Sequence, residues 1–373
     1  MNKASKILKK PITSTVIAVL FGFIVAAFVL LIAGCNPIEA FGILFRSVFS
    51  KPKYVANVII KATPIILTGV SIAFAFKVGL FNIGAEGQFV MGTVVATIVG
   101  ICLDLPPVLQ FPVVLLSGMV AGALFGGFVG FLKAKFGIHE VITSIMLNWI
   151  AFYFCNFIAA TKTFHQPNTN GTYPINASGL DFIFNWKKSE AGREVVINNE
   201  FLREAVGKTD MNIGFIFAIA AAIIIAILLK KTTKGYELRA VGFNQYAAEF
   251  AGINVRKNII HAMVIAGAIA GLAGALQITG VAQKISTLGA FENYGFNGMS
   301  VALIANSSPI GSIFAGLLFA ALIYGGGSIQ SEIGAPSEVI NIMIGTIVFF
   351  VALSKVIPVL ADKLEKKEVK KDA

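Results

Sequence analysis

Apolar residues gather into runs of about 20, separated by short polar joints, at 15–34, 55–76, 80–102, 108–132, 139–160, 212–229, 258–280, 299–308, 310–326 and 336–357. Runs of that length suit helices that cross about 30 Å of hydrocarbon. A membrane β-barrel would instead alternate over segments of about 10 residues. The pattern predicts an all-α fold, a polytopic transmembrane helical bundle of about ten spans. The count drops to eight if 299–326 is re-entrant or if the short runs stop part-way.

One joint differs from the others. Phe74–Gly92, FAFKVGLFNIGAEGQFVMG, sets Asn82, Glu86 and Gln88 among four glycines between two apolar runs. Polar groups at membrane depth are costly, so they are satisfied inside the protein and are often functional. Glycine permits broken helices and close backbone approach. The stretch reads as part of a transport path; the alternative is a tight turn packed at a helix interface.

Charge orients the chain. Lysines cluster at Lys3–Lys10, around Lys230–Arg239 and after Lys355. A start on the cytoplasmic side puts Lys77, Lys133, Lys135 and the 230–257 loop on that side too, as the positive-inside rule requires. With ten crossings both termini are cytoplasmic. This divides the chain into a cytoplasmic N-terminal segment 1–14, a membrane region 15–357 and a charged cytoplasmic tail 358–373. The one long hydrophilic insertion, 161–211, carries six basic and six acidic residues and suits the outer face. Its part Ser189–Lys208 reads as an amphipathic helix.

Composition agrees with the span pattern. The chain is 56% hydrophobic and 13% charged, against about 25% charged in soluble domains. The net charge of +11 is carried by the membrane flanks, so it gives no reason to expect a nucleic-acid partner. Cys35, Cys102 and Cys155 have neither metal-ligand nor disulfide spacing. Ile32-Ala33-Gly34-Cys35 resembles a lipoprotein cleavage site, but the run before it is long for a signal core, so it is read as an uncleaved first span.

Several chemistries are missing. Gly207-Lys208-Thr209 lacks the first glycine of a phosphate loop, whose place is taken by Leu202. His139-Glu140 has Thr143 where a zinc helix needs its second histidine. No metal site and no catalytic set follow, and no cofactor is expected on this chain. Glu86 is the one prominent carboxylate for an ion-coupled carrier.

The cytoplasmic loop holds a second feature. Gly242 and Gly252 bracket Asn244–Ala251, a stretch fit for a short helix, with Asn244 as N-cap, Gly252 as the stop and small residues at Ala247 and Ala248. Two turns of helix are unstable alone in water, so neighbours must hold it, and its small residues suit docking into another protein. The alternative is a simple connecting loop.

These stretches carry a resemblance. FNIGAEGQ at Phe81–Gln88 resembles the hallmark of permease subunits of ATP-binding-cassette importers, in the branch related to ribose and branched-chain amino acid permeases that takes up nucleosides or sugars. Gly235–Val255 is similar to that family's cytoplasmic coupling segment, Phe296–Gly326 to its late spans, and Asn36–Ala40 to the motif after its first span. The likeness runs from residue 36 to about 355. It implies a multi-pass protein of a bacterial inner (plasma) membrane, paired with a second permease that is expected to be a different chain. It also implies two ATP-binding-cassette ATPase domains that hold ATP and Mg, and an extracytoplasmic substrate-binding lipoprotein. The coupling role then falls on Gly242, Asn244, Ala247, Ala248, Gly252 and Ile253, while Arg256 and Lys257 meet membrane lipid head groups.

The solute expected from the resemblance is a nucleoside. Simple sugars or another small polar solute are the alternatives within the class, and an ion-coupled secondary transporter using Glu86 is the alternative outside it. Nucleosides offer hydrogen-bonding edges and an aromatic face. Candidate path residues are therefore Asn82, Glu86, Gln88, Asn148, Trp149, Asn293, Phe296, Asn297 and Asn306. Pro309 is expected to break the helix just after Asn306. Each asparagine suits interhelical hydrogen bonding as well as solute contact, and Trp149 suits packing or an interfacial anchor.

Overall fold

The computed structural model describes residues 11–355. The start of the expected segment 1–14, the tail 358–373 and hence the side on which either end lies are outside the described residues. A helix forms at each of the ten apolar segments, and the described residues contain no named strand. Among the described residues seven helices are long and apolar enough to cross a membrane, and Ile17–Ile32 and Ser337–Ala352 are shorter apolar stretches.

In chain order the helices are α1 (Pro11–Ile32), α2 (Pro37–Phe49), α3 (Pro52–Lys77), α4 (Ala85–Cys102), α5 (Pro107–Phe136), α6 (Glu140–Ala160), α7 (Phe182–Lys188), α8 (Glu190–Asn198), α9 (Gly214–Lys231), α10 (Thr233–Phe243), α11 (Gln245–Phe250), α12 (Val255–Gln277), α13 (Tyr294–Ile304), α14 (Pro309–Ile333) and α15 (Ser337–Ala352). Helix α12 continues as a wider turn through Ala282. The chain forms two compact units, residues 51–320 and a smaller one of residues 1–50 and 321–373.

In the smaller unit α1 packs on α15. A side chain at Gly22 would lie 3.0 Å from the Ile347 backbone. The Asn36 side chain caps α2 by accepting from the Ile38 N–H at 3.0 Å, and Pro37 fills the first helical position. Arg46 of α2 pairs with Glu332.

In the larger unit α3 and α12 are the buried centre, while α6 and α9 turn most of their apolar surface outward. A helix apolar all round is either buried or faces lipid. Backbones at the centre touch: Gly118, Gly122 and Gly126 of α5 lie against Met263, Gly267 and Gly271 of α12. Small residues four apart allow that approach, which replaces the hydrophobic drive that lipid does not provide.

Two expectations change. The run 299–308 does not cross: it falls in α13, whose 11 residues rise about 16 Å, half of the ~30 Å core. Asn306 and Ser307, both left-handed (φ 54° and 53°), end it. The amphipathic helix expected over Ser189–Lys208 is broken at Asn198-Asn199. Asn199 has extended backbone and caps a new turn, its side chain accepting from Leu202 N–H at 3.1 Å. Asparagine's local hydrogen bonding competes with helix continuation. The insertion is stapled instead through Asp181, whose two oxygens accept from the N–H of Ile183 (2.8 Å) and of Ile213 (3.0 Å).

Candidate functional site

The joint before α4 is a hydrogen-bonded polar knot. Gly79, at φ 73°, terminates α3. From there the chain turns back so that Asn82 and Gln88 exchange two amide hydrogen bonds of 2.9 and 3.0 Å. Asn82 also donates to Ser71 Oγ at 3.3 Å, and Ser71 donates to the Ala266 carbonyl on α12 at 2.7 Å. Asn148 of α6 accepts from Gly87 N–H at 2.8 Å and donates to the Ile83 carbonyl at 3.1 Å. Asn82, Glu86, Gln88 and Asn148 are all buried. Paired amides in an apolar interior fix one geometry, because each unmade bond is costly there.

Glu86 reaches across to α13. Its Oε1 accepts from Asn293 N–H at 2.8 Å and its Oε2 from Gly295 N–H at 2.6 Å. The residue in the N-cap position, Asn293, is left-handed (φ 66°) and makes no side-chain cap bond. Glu86 therefore caps α13 from another helix. It also sits in the first turn of α4, so two positive helix ends meet one carboxyl group.

The segment between α12 and α13 runs along α4 without forming a helix. Near the Cys102 end of α4, Asn176 N–H donates to the Gly100 carbonyl, and the next residue back, Ile175, bonds Gln283. At the Ala85 end, Asn293 bonds Glu86. Residues 283–293 thus descend most of the length of α4. They are held by Thr172 N–H to the Ile285 carbonyl (2.9 Å), by Thr287 N–H to the Asn170 carbonyl (2.8 Å) and by Asn156, which bonds both the N–H and the carbonyl of Leu288 (2.7 and 3.1 Å). Non-helical backbone at this depth is tolerated where protein buries it or where it lines a cavity.

Aromatic rings flank this segment. Phe291 lies 4.8 Å from Trp149, 5.2 Å from Phe152 and 5.8 Å from Phe296 between ring centres, and Trp149 stacks on Tyr153 at 5.9 Å. Trp149 is 46% exposed. The expected path residues thus fall into three places. Asn82, Glu86, Gln88 and Asn148 form the knot. Trp149, Asn293, Phe296 and Asn297 lie with segment 283–293 and α13. Asn306 sits in the break before α14. The sequence reading passed over Phe291, Glu292, Lys284 and Gln277. Their signal was weak, an 11-residue non-helical stretch between an apolar helix and a half-length one.

The loop 230–257 forms α10 and α11. Asn244 accepts from the N–H groups of Tyr246 (3.0 Å) and Ala247 (3.1 Å), and Gly252, at φ 81°, ends the turn. Ala248 is buried, and Ile253 N–H bonds its carbonyl at 2.9 Å. Ala247 faces solvent, as do Tyr246 and Phe250, which are 85% and 97% exposed. Gly242 of α10 lies against the 77–79 turn, where a side chain at Gly79 would come within 3.2 Å of Gly242 Cα. Backbone contact thus joins α10, which leads into the exposed α11, to the turn before the knot. Beside it, Lys234 Nζ at 3.0 Å and Asn258 hold the Glu237 carboxyl below the usual carboxylate range. No group of three or more metal-ligating side chains occurs among the described residues.

The chain has clear relatives. It is 39% identical to a guanosine ABC transporter permease protein of Bacillus subtilis, over 94% of this chain and 96% of that one. It is 37% identical to a nucleoside ABC transporter permease protein of Lactococcus lactis, over 97% and 95%. It is 30% identical to a glucose ABC transporter permease protein of Haloferax volcanii, over 91% and 87%. The family described as "Branched-chain amino acid transport system / permease component" matches residues 54–352. This chain, a helical bundle over its described residues with a broken late helix and a capped, exposed short helix, therefore belongs to the branched-chain amino acid transport system permease family.

Proposed function

We propose that this chain is the membrane-spanning subunit of a nucleoside importer of the plasma membrane, driven by separate ATP-binding-cassette subunits. The observation that carries the solute is the 37–39% identity, over nearly the full length of each chain, to permeases of guanosine and nucleoside transporters. A second permease, two ATPase domains that carry ATP and Mg, and an extracytoplasmic binding protein complete the machine.

The geometry supports a route for coupling. Helix α11, with Tyr246 and Phe250 outward, docks on an ATPase subunit. Its movement passes through Gly242 to the turn at Gly79, then to the Asn82–Gln88 knot, and through Glu86 to α13 and segment 283–293. ATP drives transport because it binds one permease state more tightly than the other. The solute crosses beside segment 283–293, with Trp149, Asn293, Phe296, Asn297 and Asn306 nearest the path. Asn82, Glu86, Gln88 and Asn148 shape that path from behind.

A sugar as solute is the second reading, favoured by the 30% identity to a glucose permease. An ion-coupled carrier using Glu86 is disfavoured, since both of its oxygens are engaged by backbone donors. The test is uptake of labelled guanosine and uridine into vesicles that hold this chain with its permease, ATPase and binding-protein partners. ATP-dependent accumulation that stops without the ATPase is expected. Accumulation by this chain alone, abolished by an ionophore, would overturn the reading.

A further inference from the structure

A cavity of about 170 Å³ opens between α4, α6, the end of α12 and segment 283–293. Small-molecule pockets enclose roughly 300–1,000 Å³, so this one has room for part of a solute. Its polar lining includes Glu292, Lys284, Gln277, Thr93 and Ser286. Most of these groups have partners. Gln277 bonds the Tyr294 hydroxyl, Thr93 donates to the Val90 carbonyl at 2.7 Å, and Lys284 Nζ reaches Gln166 Oε1 at 3.5 Å.

Glu292 differs. It is exposed at the cavity wall, and among the described residues its carboxyl group has no hydrogen-bond donor and no ion pair, although a lysine lines the same cavity. An exposed carboxylate without a protein partner keeps both oxygens free to accept from a ligand. Here an acceptor-only group, an ammonium and an amide face one small space and do not satisfy one another.

The chemistry selects the ligand. A carboxylate has two oxygens that accept side by side and nothing to donate. Two adjacent hydroxyl groups donate as a pair to such an acceptor, through short charge-assisted bonds of about 2.5–2.7 Å. Lys284 then donates to a hydroxyl or ring oxygen of the same sugar. Phe291 packs among the aromatic rings, while the neighbouring Glu292 lines the cavity.

We infer that this cavity is a sugar subsite in which Glu292 binds a vicinal diol, carried by the ribose of a nucleoside. The inference rests on the importer reading above and names which end of the solute this permease holds. A hexose presents the same diol, and the test separates the two.

The experiment uses the assembled permease pair with its ATPase subunits in lipid nanodiscs, without the binding protein, so that selection outside the membrane plays no part. Ser286 lines the cavity and is exposed. S286C in a C35S/C102S background provides a reporter thiol, since the remaining Cys155 is buried. The rate of its reaction with a charged methanethiosulfonate is measured with millimolar uridine, 2′,3′-dideoxyuridine, uracil or glucose. Uridine is expected to slow labelling, while dideoxyuridine and uracil are not. E292Q is expected to weaken uridine protection at least about tenfold, the loss of one or more hydrogen bonds to a charged group, and E292D to restore part of it. Co-purification of the ATPase subunits with E292Q controls for folding. Equal protection by dideoxyuridine, unchanged protection in E292Q, or no protection by any solute would each overturn the subsite. Protection by glucose and not by uridine would keep the diol subsite and overturn the nucleoside.

Discussion

Glu86→Ala separates a structural clamp from a coupling carboxylate. The wild-type side chain is buried and accepts from two backbone N–H groups, of Asn293 at 2.8 Å and of Gly295 at 2.6 Å. Alanine removes both acceptors from the start of α13, and Asn293 has no side-chain cap bond to replace them. An orphaned buried donor costs about 1–3 kcal/mol. Two give about 2–6 kcal/mol, and the value falls toward the middle because Asn293 is exposed to solvent while Gly295 is buried. Glu86→Gln keeps one acceptor and turns an amide N–H₂ toward the other donor, so its cost is about half as large.

Two assays read this. Amide hydrogen exchange across 293–297 should speed up most in E86A, less in E86Q, and stay unchanged in the helices of the smaller unit. Thermal unfolding in detergent should follow the same order. If E86A protects the Gly295 amide as the wild type does and unfolds at the same temperature, the clamp is wrong. If E86Q is as stable as wild type but its uptake loses dependence on an ion gradient, Glu86 is a coupling carboxylate.

Other substitutions test other joints. Gly122→Leu would drive a side chain into the backbone of Gly267 and Gly271, and should abolish recovery of folded protein in detergent, whereas Gly345→Leu, with open space around it, should not. Asn244→Ala removes the acceptor for two N–H groups of α11 and should cost about 1 kcal/mol. In reconstituted vesicles it should lower uptake per ATP hydrolysed, and an unchanged ratio would argue against α11 as the coupling element. Glu237 is held below its ordinary value of 4.5 by Lys234 and Asn258. Its ionised form therefore favours folding above that pH, and the contribution is lost as pH falls through the lowered value. The difference in unfolding midpoint between wild type and Glu237→Gln should be largest near neutral pH and vanish in acid.

The ten helical segments were legible in the sequence because a bilayer imposes a local requirement: enough consecutive apolar residues to satisfy the backbone across hydrocarbon. Helix α11 was legible for a related reason. Asn244 bonds N–H groups two and three residues away, and the left-handed stop at Gly252 suits glycine, so both ends are decided within a few positions. The importance of Asn82, Glu86 and Gln88 was legible as a cost, since polar groups at that depth need partners. Which partners they take was not. Glu86 caps a helix that begins 208 positions later in the chain, from Glu86 to Tyr294, and Asn148 closes the same knot from α6. The descent of residues 283–293 along α4 has no periodicity to betray it, because its backbone is satisfied by Thr172, Asn170, Asn156 and Glu86 rather than by its own neighbours. Hydropathy and caps act over a few residues and can be read from sequence. The pairing of buried donors with acceptors depends on which helices pack together, and only the tertiary structure decided that.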